Sequence, residues 1–143
     1  MGVVSLAAEN TTLILNGYAF TSFSEGDFLV LAPANPLTSQ TNSSGGGVSI
    51  NERVDGGVHD LTVRVQKYSA DDVWLNSAVN ARPVTVFAGS SKTNYVRDGS
   101  EAVETYTLEG GSVTTQPTNT QNNQDGSAMM EYMIRFRTAK RAL

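Results

Sequence analysis

Val48-Ser49-Ile50-Asn51-Glu52-Arg53-Val54-Asp55-Gly56-Gly57-Val58-His59-Asp60-Leu61-Thr62-Val63-Arg64-Val65-Gln66 is the stretch on which the fold assignment turns. In its second half Leu61, Val63 and Val65 alternate with Asp60, Thr62, Arg64 and Gln66. A period of two puts the aliphatic set on one face and the polar set on the other, which describes a half-buried antiparallel strand. Asp55-Gly56-Gly57 separates this run from Val48–Val54, and its glycines can take the positive φ that a tight turn demands, so the expectation is a hairpin pairing the two runs.

Outward from this hairpin the pattern stays β. Thr11–Leu15, closed by Asn16-Gly17, and Asp27–Leu31, stopped by Ala32-Pro33, read as strands. So do Val84–Ala88 and the long alternation Met129–Thr138, where Met130, Tyr132, Ile134 and Phe136 point one way. Val103–Leu108 and Ser112–Gln116 are expected to form a second hairpin around Gly110-Gly111, and Arg97-Asp98-Gly99-Ser100 a turn. One helix is predicted from Ser69, a good N-cap, with Asp71 and Asp72 in the first turn where the helix dipole favours negative charge. Val73, Trp74 and Ala78 supply its apolar stripe, and it should end before Arg82-Pro83. The fold class is therefore mainly β: an antiparallel sandwich or half-barrel with one flanking helix.

Two segments have no apolar period. Residues 33–47, ending in Ser43-Ser44-Gly45-Gly46-Gly47, read as a polar arm or long loop, unusual in a small domain and so a candidate for function. Residues 117–127 are almost wholly polar and read as a flexible, solvated loop. The remainder of the 143 residues forms one domain, long enough to bury a core without staples.

Composition excludes several functions. With no cysteine and a single histidine, His59, thiolate zinc sites, cysteine nucleophiles and multi-histidine metal centres are ruled out, and no cofactor is expected. A net charge of -4 argues against a globally basic nucleic-acid binder. No apolar run approaches the roughly 18 residues a membrane helix needs, and the first residues have no basic region of the kind that opens a signal peptide. Gly89-Ser90-Ser91-Lys92-Thr93 departs from the phosphate-loop pattern, since Ser91 stands where it needs the glycine before the lysine, and reads as a plain loop. His59 and Asp60 are adjacent on a strand, so they face opposite ways and cannot act as base and orienter. Asp71 and Asp72 lack a third ligand. No catalytic set can be named, and the chain reads as a non-enzyme.

Charge is unevenly spread. Residues 1–128 carry six basic and thirteen acidic side chains, whereas 129–143 carry Arg135, Arg137, Lys140 and Arg141 against Glu131. A basic end and an acidic body can be self-complementary between copies, which suits head-to-tail rings or filaments.

Leu15-Asn16-Gly17-Tyr18, Glu25-Gly26-Asp27-Phe28, the Val48–Val65 region, the helix start Ser69–Trp74, the Gly110-Gly111 segment and the closing strand to Arg137 together resemble, in order and pattern, the tail tube proteins of contractile-tailed bacteriophages. That family also resembles the tubes of type VI secretion systems and phage-tail-like bacteriocins. The resemblance implies hexameric rings whose sheets join into a shared barrel and stack into the inner tube of the virion tail, assembled in the host cytoplasm. It implies as partners the sheath, a baseplate hub or tube initiator, the tape measure protein and a terminator, with DNA passing through the lumen without specific binding. By the same analogy the arm reaches the next ring, making Leu37, Thr38, Gln40 and Asn42 interface candidates beside the basic Arg135, Arg137, Lys140 and Arg141. The alternatives are another virion structural protein, such as a terminator, completion or decoration protein, or a small ligand-binding β-sandwich.

Overall fold

The computed structural model describes residues 4–5, 11–24, 26–120 and 129–143. In chain order the elements are β1 (Val4–Ser5), β2 (Thr11–Leu15), β3 (Tyr18–Ala19), β4 (Leu29–Pro33), β5 (Thr38–Asn42), β6 (Val48–Glu52), β7 (His59–Gln66), α1 (Ala70–Asn80), β8 (Phe87–Arg97), β9 (Ser100–Thr115), β10 (Met129–Phe136) and β11 (Thr138–Ala142). All pairings between them are antiparallel.

One continuous sheet runs β3-β2-β8-β9-β10-β7-β4, with β1 added on β8 and β11 on β9. It is folded over on itself, and β9 is the hinge strand. The first part of β9 pairs with β8 and β11, while Ser112–Thr115 pairs with β10. Leu13, Leu15, Phe87 and Leu108 from one half pack against Leu61, Val63, Val65, Tyr132, Ile134 and Phe136 from the other in a single core. The result is a half-barrel, open on one side, with α1 laid against the core through buried Leu75 and the partly buried Trp74, Ala78 and Val79.

The alternation in β7 and β10 is as expected: Leu61, Val63, Val65, Tyr132, Ile134 and Phe136 are all buried, with Ile134 opposite Leu61 and Tyr132 opposite Val63. The partner expected for β7 is not. Val48–Glu52 pairs with Thr38–Asn42 in a separate two-stranded sheet, and both edges of β7 are occupied by β10 and β4. Those neighbours offer apolar residues on the core face, such as Leu31 opposite Leu61 and Ile134 opposite Leu61, which the mostly polar Val48–Glu52 cannot match. The Asp55-Gly56-Gly57 turn exists, closed by bonds from Gly56 N to Arg53 O and Val58 N to Asp55 O, but neither glycine has a positive φ. Gly56 is required for another reason: a Cβ there would lie 3.0 Å from the Leu37 backbone.

Nor does the chain reverse at Gly110-Gly111. β9 runs straight through, and Gly111 is the point where Phe136 crosses it, a Cβ at Gly111 falling 2.4 Å from the Phe136 ring. The real reversal is at Asp98-Gly99, where φ values of 53° and 76° make the tight β8–β9 hairpin. Val84–Val86 is not in a strand, since β8 starts at Phe87, and the closing strand divides at Arg137 into β10 and β11. Residues 89–93 lie inside β8, so the expected loop there is a strand. The helix begins after Ser69, whose hydroxyl accepts from Asp72 N, and ends at Asn80, as expected, but Val73 is 62% exposed and Leu75 takes its place on the buried stripe.

Candidate assembly surface

The segment read as an arm contains β5 and continues into β6, and together they form a hairpin that projects from the half-barrel between β4 and β7. All ten strand residues are exposed. Its tip turns through Ser43–Gly47: Ser43 N donates to Gly47 O, Gly47 N donates to Ser43 Oγ, and Gly46 takes a φ of 87°. Its base is tied down by Arg53 N donating to Leu37 O and by the Arg53–Asp55 ion pair, whose guanidinium holds the Asp55 carboxyl below the usual range.

The cross-strand register makes the hairpin two-faced. Gln40 sits opposite Ile50 and Asn42 opposite Val48, placing both aliphatic residues on one side, while Ser39, Thr41, Ser49 and Asn51 share the other. Val48 is 59% and Ile50 65% exposed, so this apolar stripe has no cover among the described residues.

Leu37, Thr38, Gln40 and Asn42 are all exposed on this hairpin or at its base. Arg135, Arg137, Lys140 and Arg141 lie on or between β10 and β11 and are exposed too. Among the described residues two of these four cations have partners: Arg135 Nε donates to Asp60 Oδ1 at 2.8 Å, and Arg141 Nε to Glu104 Oε2 at 2.6 Å. The Arg135 guanidinium holds the Asp60 carboxyl below its ordinary value. His59 and Asp60 do part company, with His59 Nδ1 on Gly57 O and Asp60 on Arg135.

Asp71 and Asp72 do more than favour the helix dipole. Asp71 is fully buried and accepts from Tyr18 Oη (2.7 Å), Thr21 N (3.0 Å) and Ser22 N (2.6 Å), fastening the helix start to the chain after β3. Asp72 accepts from Tyr132 Oη (2.7 Å) and Tyr68 N (3.0 Å), fastening it to β10. The bond to Asp71, with burial and the carboxylate charge, raises Tyr18 to about 12; burial and the bond to Asp72 raise Tyr132 as well. Carboxylates at a helix start have a local explanation, so nothing in the sequence flagged these long-range partners, 53 and 60 residues away. Each of the four carboxylate oxygens thus accepts a hydrogen bond that ties elements of the fold together. Among the described residues no cluster of His, Asp or Glu is suited to a metal, and no helix is long and apolar enough to cross a membrane.

A second feature the sequence did not reveal is a cleft of about 250 Å³ between β4 and the β2–β8–β9 face. Phe28, Leu29, Leu31, Leu61 and Tyr106 supply the apolar part of its lining. It lies beside the outer edge of β4, which ends the sheet order and has no neighbouring strand among the described residues.

These features define a mainly β, antiparallel half-barrel with one helix and a projecting hairpin. No protein-family model matches the chain, and no curated protein matches its sequence. Its fold is similar to solved structures, among them the PVC sheath/tube terminator of an extracellular contractile injection system in its extended state, with a TM-score of 0.65 and 97% of each chain covered. The identity is 9%, so the likeness is one of fold.

Proposed function

We propose that the chain is a non-enzymatic structural subunit of a contractile, tail-like injection particle, where copies close head to tail into rings that stack as the inner tube. The observation that carries this reading is the projecting hairpin: ten exposed strand residues bearing an uncovered aliphatic stripe are costly in an isolated monomer, and a neighbouring copy removes that cost. The outer edges of β4 and β11, unpaired among the described residues, add rims along which sheets of adjacent copies can join into a shared barrel. The end-to-end fold likeness to a component of a contractile injection system supports the same reading.

In such a particle six copies per ring follow from the family resemblance, with the sheath outside, a hub or initiator at one end, and a terminator at the other. The tape measure protein, and then DNA, occupy the lumen, where a net charge of -4 per subunit keeps a polyanion from adhering. Assembly takes place in the host cytoplasm and the product resides in the virion.

A second reading, that the chain is itself a terminator, is favoured by the fold likeness to a sheath/tube terminator. Negative-stain microscopy of the purified protein at high concentration, across a range of salt, separates the two. Open-ended tubes support the tube subunit, discrete single rings support the terminator, and monomers under every condition refute both.

A further inference from the structure

The hairpin and the cleft are complementary, and we infer that the β5–β6 hairpin of one copy docks along the β4 edge of a second copy, laying Val48 and Ile50 over the cleft lined by Leu29, Leu31 and Tyr106. This rests on the ring-forming reading and names the surface that receives the arm.

Three independent observations point to this occupant. First, the chemistry matches on both sides. Beyond Glu52 at its base, the β5–β6 hairpin carries no ionisable side chain and is rich in hydroxyl and amide groups around the two aliphatic residues. The cleft is lined by apolar side chains together with the hydroxyls of Thr11, Ser91 and Thr93, and the charge of its one carboxylate, Glu104, is taken up by Arg141. Glu52 shares that face but stands at the base of the hairpin, so docking of the distal part, Gln40–Ile50, buries no unpaired charge, the condition under which burial of apolar area is favourable. Second, the geometry is that of strand addition. The cleft borders the outer edge of β4, and a preformed hairpin laid beside it can continue the sheet through main-chain bonds while alternate side chains enter the cleft. The register of β5 on β6 already puts Val48 and Ile50 on the same side, so no rearrangement of the hairpin is needed. Third, both surfaces are uncovered among the described residues. The hairpin is exposed along its whole length, so it does not cover its own cleft, and Leu29 and Leu31 are only half-buried. A projection on one region and a receptacle on another form a heterologous contact, which propagates from copy to copy and closes a ring or extends a tube.

The native chain has no cysteine, so introduced thiols report proximity cleanly. Ile50→Cys protein is mixed with Leu29→Cys protein under assembly conditions, oxidised, and run on a non-reducing gel. Thr93→Cys, in the cleft lining, serves as a second receiver if Leu29→Cys folds poorly, and Val73→Cys, exposed on α1, is the control. The expected result is a mixed disulfide dimer from Ile50→Cys with either receiver, about tenfold above that with the control, because docking holds the thiols at high effective concentration. In parallel, Ile50→Asp should fold like wild type, since the site is exposed, yet fail to assemble. Rings or tubes that form normally while cross-linking stays at the control level, or that form from Ile50→Asp, overturn the docking and leave the ring reading intact. Absence of both particles and cross-links overturns the two together.

Discussion

Truncating Asp71 tests the account of what positions the helix. Its carboxylate is fully buried and serves three donors, two of them main-chain N–H groups that a helix-dipole role alone would not involve. Asp71→Ala leaves all three without an acceptor. A buried donor left unpaired costs about 1 to 3 kcal/mol, and Thr21 is exposed enough for water to replace part of its bond, so the expected loss is about 3 to 4 kcal/mol, a large share of the roughly 5 to 15 kcal/mol that holds a domain folded. Asp71→Asn should lose only about 1 to 2 kcal/mol. Its amide oxygen can still accept from Thr21 and Ser22, while its NH2 donates to the Tyr18 hydroxyl, exchanging charged bonds for neutral ones. Urea denaturation of the two variants and of Tyr18→Phe, closed into a double-mutant cycle, measures the coupling directly. A tyrosinate absorbance titration gives a second readout. Tyr18 stands at about 12 against an ordinary 10.0, chiefly because it donates to Asp71, so in Asp71→Asn it should titrate near the ordinary value. Because the folded value is the higher one, the stability this bond contributes is full below pH 10.0 and is lost as pH rises through about 12. An Asp71→Ala protein within about 0.5 kcal/mol of wild type, or no coupling between positions 18 and 71, would refute the reasoning.

Gly89→Ala should be severely destabilising by thermal melt, by about 3 kcal/mol or more, because its Cβ would fall 1.9 Å from the Ile14 carbonyl oxygen and push β2 off β8. Gly45→Ala, with nothing within 4 Å, should stay within about 0.5 kcal/mol. Deleting Asn42–Gly46 shortens only the exposed hairpin tip, so circular dichroism and the melting midpoint should be preserved while microscopy shows no stacked tubes; wild-type-like tubes would remove the arm from assembly. Arg135→Ala breaks a half-exposed ion pair and should leave the midpoint near wild type at neutral pH. The lowered Asp60 carboxyl contributes stability above its ordinary 3.8 that is lost as pH falls through its folded value, so the wild-type and Arg135→Ala stability curves should converge in acid.

Residues 117–127 illustrate where reading ends: Pro117–Thr120 carry no strand, and the rest of that expected loop lies outside the described residues. Elsewhere the strands that bury one face were legible because a period of two is imposed by the backbone. Leu61, Val63 and Val65 had to share a side, as did Tyr132, Ile134 and Phe136, whatever they packed against. The helix start at Ser69 and the turn at Asp98-Gly99 were legible for the same local reason, since capping and positive φ depend on near neighbours. Pairing partners were not. Val48–Glu52 is adjacent to β7 in sequence, but β7 is claimed by β4 and β10, which bring more apolar surface from farther along the chain. Likewise Gly110-Gly111 has the composition of a turn and serves as a passage for Phe136. The cleft beside β4, and the carboxylates of Asp71 and Asp72 reaching Tyr18 and Tyr132, exist only once distant segments meet. Local periodicity and turn chemistry decide which residues form elements and which face is apolar; competition among all apolar surfaces for one core decides which edges pair, and so which surfaces are left for a neighbour.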